Sequence, residues 1–274
     1  MRNKMRPWAK LYFGLVMMFL YVPIAVLITF SFNASKSRTV WTGFTLDWYK
    51  ELFHNEQILS ALGTTLIVSV VAALISTVLG TAAAIGIYHM NKKISGVILN
   101  LTYLPIINPE ILTGVSLMLL FVFLKIELGY TTLILAHITF DVPYVILSVM
   151  PKLRQMDKHI TEAALDLGCT PMQAFFKASL PQIMPGVITG GLMAFTFSLD
   201  DFVVSYFTHG ASAQPLSVQI FAMTRRKVSP EINALSTIIF IVVLLVLLVS
   251  NLLDARKERL KNQKYKEIAR EGRA

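Results

Sequence analysis

Hydrophobic residues along the chain are grouped in six long segments, separated by more polar stretches. A transmembrane helix needs about 20 consecutive, mostly apolar residues. Six segments meet that length: residues 11–32, 62–88, 97–124, 131–150, 180–207 and 232–253. The pattern predicts an all-α integral membrane protein, with six transmembrane helices in a single domain that covers residues 1–274.

The composition supports a membrane protein and argues against a soluble enzyme. Of the 274 residues, 55% are hydrophobic and 15% are charged, whereas soluble domains carry roughly a quarter charged residues. A soluble chain this apolar would expose hydrophobic patches that it could not cover. The single cysteine, Cys169, cannot form an internal disulfide bond.

The positive charges predict how the chain is oriented in the membrane. All 25 Lys and Arg residues lie outside the six predicted spans. If the N-terminus is cytoplasmic, 18 of them fall on the inner side and 7 on the outer side. Because cytoplasmic loops are enriched in Lys and Arg, both termini are expected in the cytoplasm. Residues 254–274 then form a basic cytoplasmic tail that suits anionic lipid better than nucleic acid.

Four acidic residues lie inside predicted spans: Glu110, Asp141, Asp200 and Asp201. None of them has a Lys or Arg within a span as a partner. A lone carboxylate in hydrocarbon is costly, so such a group normally faces a cavity, takes up a proton or meets a cation. These residues indicate a cationic partner that enters the membrane. Metal ions, protons and organic amines are the candidates.

Two of these acids lie beside prolines that predict interruptions of their helices. Asn108-Pro109-Glu110 is typical of a helix start, with Asn108 at the N-cap and Pro109 in the first turn. Asp141-Val142-Pro143 predicts a second interruption. Because broken helices in membranes occur where they line a cavity, both breaks favour a substrate pathway.

Aromatic side chains near the acids could form cation–π walls for an ammonium group. These aromatic residues are Tyr103, Phe140, Tyr144, Phe197, Phe202 and Tyr206. His137 shares a helical face with Asp141 and Tyr144, where a packed, hydrogen-bonded interior histidine is more typical than a ligand. The candidates for the substrate pathway are Asp200, Asp201, Glu110, Asp141, Tyr144, Tyr103 and Phe202.

A structural role is the alternative for each acid. Glu110 could satisfy backbone N–H groups at the restarted helix, and Asp141 could cap a half-helix. Asp200 and Asp201 project about 100° apart on a regular helix. One of them could therefore face the pathway while the other bonds a neighbouring helix.

The sequence lacks the motifs of nucleotide and metal chemistry. It has no Cys/His cluster with metal-site spacing. It also has neither a G-x-x-x-x-G-K-[ST] phosphate loop nor a G-x-G-x-x-G fingerprint. We therefore expect no catalytic residue, metal or cofactor in this chain, and any ATP would be bound by another subunit.

The predicted cytoplasmic loop, residues 151–179, contains two helix signals. A short helix over residues 158–167 should stop at Gly168, a natural residue after a helix end. Thr170, Pro171 and Gln173 supply an N-cap, a first-turn proline and a capping-box partner. The first helix has an apolar stripe that suits either a lipid surface or the groove of a cytoplasmic partner. The pattern predicts two short helices joined by a tight turn.

This loop resembles the EAA motif of ATP-binding-cassette (ABC) importer permeases. The motif reads E-A-A-x-x-x-G, nine variable residues, and I-x-L-P. The matching residues are Glu162, Ala163, Ala164, Gly168, Leu180 and Pro181. Ala178 departs from the usual isoleucine, which softens one packing contact without undoing the match.

Further segments resemble one branch of these permeases, the subunits of spermidine/putrescine importers. They are Ser31-Phe-Asn-Ala-Ser35, Gly43-Phe-Thr-Leu-Asp-Trp-Tyr49, Ser198-Leu-Asp-Asp-Phe202 and Val228-Ser-Pro-Glu-Ile-Asn-Ala-Leu-Ser-Thr237. The resemblance covers nearly the whole chain and is strongest to the second of the two permease subunits.

The resemblance implies a six-helix type I permease in a bacterial cell membrane. It implies a homologous permease partner, two ATPase subunits docked on the EAA loops, and an external polyamine-binding protein. ATP and magnesium would be bound by the ATPase subunits, and polyamines would enter by alternating access. Two alternatives stay open: an ABC permease for another cationic or amine solute, and an ion-coupled secondary transporter.

Overall fold

The described part of the chain is helical. The computed structural model describes residues 7–35, 40–226, 230–242, 244–245 and 248. The helices are α1 (Pro7–Ser31), α2 (Asp47–His54), α3 (Glu56–His89), α4 (Lys92–Ile107), α5 (Glu110–Phe123), α6 (Tyr130–Gln155), α7 (Lys158–Asp166), α8 (Pro171–Ala174), α9 (Leu180–Asp200), α10 (Val203–Thr208), α11 (Leu216–Arg226) and α12 (Glu231–Val242). Among these residues the only β-pairing is two isolated bridges. The all-α fold class is confirmed.

Among the described residues, four helical stretches are long and apolar enough to cross a membrane, and there are five if the bent pair α4–α5 is one span. The four are α1, α3, α6 and the continuous stretch Pro171–Asp200. The predicted sixth span, residues 232–253, extends past the described residues, within which α12 is apolar but short. The basic tail, residues 254–274, also lies outside the described residues.

The contacts divide the chain into two compact units. One comprises residues 1–55 with 223–274, and the other comprises residues 56–222. In the first unit, Asn33 is fully buried and ties the end of α1 to the following loop. Its side-chain amide donates to the Val40 carbonyl (2.8 Å), and its own carbonyl accepts from the Trp48 indole (2.7 Å).

The second unit is built on the packing of α3, α6 and α9 around Val145 of α6. Val145 is fully buried. A Cβ atom at Gly80 of α3 would lie 2.6 Å from the Val145 Cβ, and one at Gly190 of α9 would lie 3.0 Å from the Val145 Cα. Lipid is as apolar as the helices themselves, so such interfaces depend on close packing through small residues. The two glycines therefore let both helices approach α6 closely.

The predicted interruption at Asp141-Val142-Pro143 is wrong. Helix α6 continues from Tyr130 to Gln155 with Pro143 and Pro151 inside it. A proline removes one backbone hydrogen bond, but packing against neighbouring helices can hold a membrane helix together at that point. Helix α6 has such support because it packs against both α3 and α9.

Helix α9 ends at Asp200, earlier than the predicted end of the fifth span at residue 207. Residues 201 and 202 are not helical, and α10 follows as a short separate helix. At its other end, α9 continues directly from α8 through a π-helical turn, Phe175–Ser179. The second short helix predicted within residues 151–179 is therefore the first turn of a longer helix.

A pair of substitutions in α3 should separate close packing from helix propensity. Gly80→Ala places a methyl group against Val145, and overpacking of this kind typically costs about 1–3 kcal/mol. Gly86→Ala is the matched control, because a Cβ there meets nothing within 4 Å and alanine is the better helix former. In detergent, the thermal unfolding midpoint should fall for Gly80→Ala and stay level or rise for Gly86→Ala. Equal midpoints would contradict the packing argument.

Candidate functional site

The second unit contains a cavity of about 420 Å³ with an acidic and aromatic lining. Its carboxylates are Glu110, Asp200 and Asp201. The lining residues are Pro105, Ile106, Asn108, Glu110, Thr113, Phe140, Tyr144, Phe197, Asp200, Asp201, Phe202, Val203 and Val204. No Lys, Arg or His is among these described lining residues. The cavity therefore presents negative charge and ring faces without a basic side chain to neutralise them.

Glu110 reaches the cavity because the predicted break between α4 and α5 is present. The two helices meet at an angle of 98°. Asn108 precedes a proline, which disfavours helical backbone, and it adopts extended geometry with ψ of 134°. The prediction that Asn108 caps α5 is wrong: Pro109 holds the N-cap position, while the Asn108 N–H closes α4 on the Leu104 carbonyl.

Asp200 and Asp201 lie in different surroundings, although both line the cavity. Asp200 ends α9 and is exposed. The Asp201 side chain is only 7% exposed and binds the start of α10. Its carboxylate oxygens accept from the backbone N–H groups of Val204 (3.3 Å) and Ser205 (2.7 Å). These bonds fix the Asp201 carboxylate at the cavity wall.

Asp141 neither lines the cavity nor caps a helix. It is fully buried inside continuous α6, where its Oδ2 accepts a hydrogen bond from the Ser198 hydroxyl (2.7 Å). Its Oδ1 has no hydrogen-bond partner among the described residues. The unbroken helix explains this placement, because the side chain points into the α6–α9 interface.

His137 is a hydrogen-bonded interior residue, which confirms that interpretation of the sequence. Its ring is 2% exposed and lies between two hydroxyl groups. Nδ1 is 3.0 Å from the Ser198 Oγ, and Nε2 is 3.1 Å from the Ser205 Oγ. Neither serine is indicated by the sequence pattern as a partner of His137. No local pattern could reveal them, because they lie more than 60 residues away along the chain.

Three aromatic residues are among the predicted candidates for the substrate pathway: Tyr144, Phe202 and Tyr103. The first two line the cavity and Tyr103 does not. The Tyr144 ring lies 4.4 Å from that of Phe197, and the Phe202 ring lies 4.9 Å from that of Phe221. Tyr103 of α4 is 45% exposed and is not among the lining residues. The cavity lining therefore includes the rings of Tyr144 and Phe202 but not that of Tyr103.

The loop of residues 151–179 folds locally as its residues predict. Asp157 caps α7 by accepting from the His159 N–H (3.0 Å). Gly168 follows the helix with φ of +85°, a backbone region that favours glycine. Thr170 and Gln173 then form a reciprocal capping box at the start of α8.

The surface of α7 is uncovered within the described residues. The Leu167 side chain is 86% exposed and that of Ile160 is 49% exposed. The Glu162 side chain is 66% exposed, and its carboxylate lies 3.4 Å from the His159 Nδ1. A short helix with accessible apolar side chains and accessible carboxylates is suited to fit into a groove.

Comparison with known proteins places the chain among transport proteins. Residues 76–261 match the family described as "Binding-protein-dependent transport system inner membrane component". The putrescine transport system permease protein PotI of Escherichia coli K12 is 40% identical over 271 residues, covering 96% of this chain and 95% of that protein. The spermidine/putrescine transport system permease protein PotC of Haemophilus influenzae is 36% identical over 238 residues, covering 87% and 93%.

A solved structure supports the fold. It is the crystal structure of a bacterial ABC transporter involved in the import of the acidic polysaccharide alginate. The match has a TM-score of 0.69 and 14% identity, and covers 90% of this chain and 94% of that chain. Taken with the sequence relatives, the apolar helices and the uncovered loop, this likeness leads to one assignment. The chain belongs to the family of inner membrane components of binding-protein-dependent transport systems, as a multi-pass permease of the ABC importer type.

Proposed function

We propose that the chain is a permease subunit that carries polyamines, spermidine or putrescine, into the cell by alternating access. It works with a homologous permease subunit, two ATPase subunits and an external polyamine-binding protein. ATP and magnesium are bound by the ATPase subunits, so this chain is not itself an enzyme. Both of its termini are cytoplasmic.

The observation that carries this proposal is the lining of the cavity. A polyamine is a flexible chain of methylene groups with several ammonium charges. The cavity offers three carboxylates, Glu110, Asp200 and Asp201, to the charges. It offers the rings of Tyr144 and Phe202 to the methylene groups and, through cation–π contact, to the ammonium groups. An anionic cargo would be repelled by the same lining.

The cargo assignment also draws on the relatives, whose names state putrescine or spermidine transport. The alternative cargo is another cationic or amine solute, since the chemistry of the cavity does not require a particular spacing of charges. Because the chain belongs to a family of ABC importer permeases, we no longer consider the alternative function of an ion-coupled secondary transporter.

The same proposal assigns ATPase docking to the loop, residues 151–179. Helix α7 presents Glu162 and Ile160 to a partner, and Leu167 directly after the helix is also exposed. Because Pro171–Asp200 is one continuous helical stretch, movement of the loop is transmitted directly to Asp200 at the cavity. That continuity supplies a physical route from ATP hydrolysis to the substrate pathway.

Neutralising either adjacent acid should weaken polyamine uptake. In proteoliposomes that contain the complete transporter, Asp200→Asn and Asp201→Asn should each lower uptake of labelled spermidine by about tenfold. That is the size expected for losing one hydrogen bond between charged groups. Glu127→Gln is the control, because Glu127 is an exposed acid outside the cavity lining. Normal uptake by both Asp variants would contradict the substrate role. Wild-type transport of another amine but not of polyamines would favour the alternative cargo.

Reversing the charge of Glu162 on α7 should prevent the ATPase subunits from docking. Glu162→Arg places a bulky cation where an exposed carboxylate meets the partner's groove, so the ATPase subunits should no longer co-purify with the permease pair. Glu127→Arg makes the same charge change in the α5–α6 loop and should leave co-purification intact. Retention of fully active ATPase subunits on the Glu162→Arg complex would refute docking at this residue.

A further inference from the structure

Five residues at and behind the cavity wall form one continuous series of polar contacts, to which Ser205 contributes both its hydroxyl and its backbone N–H. In order they are Asp141, Ser198, His137, Ser205 and Asp201. Ser198 donates to Asp141 (2.7 Å), and the His137 ring lies 3.0 Å from the Ser198 Oγ and 3.1 Å from the Ser205 Oγ. The Ser205 N–H donates to Asp201 (2.7 Å), whose Oδ2 is also 3.7 Å from the His137 Nε2. Only Asp201, at one end, lines the cavity.

The order of donors follows from proton counting. Ser198 has one hydroxyl proton, which it donates to Asp141. Its oxygen must then accept from His137, so Nδ1 of His137 carries a proton. The Nε2 atom is left to pair with the Ser205 hydroxyl, either as acceptor or as donor. In both cases Asp141 and Ser198 fix the tautomer and orientation of the ring, as carboxylates do for histidines in metal sites.

We propose that His137 is a positioning residue, which holds Ser205 and thereby the Asp201 carboxylate at the wall of the cavity. Asp141 acts behind it as the anchor of the ring and has no contact with cargo. The two buried aspartates therefore have different tasks, although both are acids within predicted spans. This inference rests on the proposed function for the identity of the cargo, and it deepens that proposal by naming the residues that position the Asp201 carboxylate.

Ser205→Ala tests the link with the least disturbance. The substitution removes the hydroxyl that meets His137, but it keeps the backbone N–H that binds Asp201 and favours helix. Uptake of labelled spermidine by the complete transporter in proteoliposomes should fall by about three- to tenfold, the effect of one lost hydrogen bond. Ser69→Ala is the matched control, because Ser69 of α3 is fully buried and its hydroxyl has no partner among the described residues.

A double-substitution cycle distinguishes positioning from general damage. If Ser205 and His137 act through Asp201, Ser205→Ala should lower uptake further in an Asp200→Asn background but not in an Asp201→Asn background. His137→Leu should show the same dependence. An equal fold-reduction in both backgrounds, or unchanged uptake by Ser205→Ala alone, would overturn the proposal.

A measurement without cargo keeps this inference separate from the proposed function. The infrared carboxyl band that disappears in Asp201→Asn reports the surroundings of that side chain in the purified complex. It should shift in Ser205→Ala and His137→Leu and stay in place in Ser69→Ala. A band shift without polyamine uptake by the wild type would refute the cargo and retain the positioning role. Polyamine uptake by the wild type without a band shift in Ser205→Ala or His137→Leu would support the cargo and refute the positioning role.

Discussion

A backbone N–H or C=O group without a partner is so costly in hydrocarbon that helices break only where protein or water satisfies the freed groups. Both helix breaks that border the cavity follow this constraint. At the first, the Asn108 N–H donates to the Leu104 carbonyl (3.0 Å), and the Pro109 carbonyl accepts from the Leu112 N–H (2.9 Å). At the second, the Asp201 carboxylate accepts from the N–H groups that α10 leaves free. Each break also brings an acid to the cavity, so irregular backbone and negative charge occur together.

The same constraint explains why α6 does not break. Its middle lies between α3 and α9, held there by contacts as close as those of Gly80 and Gly190 with Val145. A gap in α6 at Pro143 would disrupt this close packing around Val145. Asp141 is consequently held inside an unbroken helix, where Ser198 and His137 provide its polar surroundings.

Features determined by neighbouring residues could be predicted from the sequence, and features determined by distant contacts could not. The turn at Gly168 and the capping box of Thr170 and Gln173 depend on residues within a few positions, and both are present. The break before Glu110 depends on Asn-Pro chemistry and is also present. Pro143 carries a similar local signal, but packing from α3 and α9 overrides it.

The end of α9 is a helix break that the sequence pattern does not predict, and this break shapes the site. In a continuous helix, the Ser205 N–H would bond to the Asp201 carbonyl. Here it bonds to the Asp201 carboxylate instead, and the Ser217 hydroxyl donates to the released carbonyl (2.7 Å). That exchange turns the Asp201 side chain inward while Asp200 remains exposed on the last turn of α9. Two adjacent, chemically identical residues thus differ in burial and in partners because the helix ends between them.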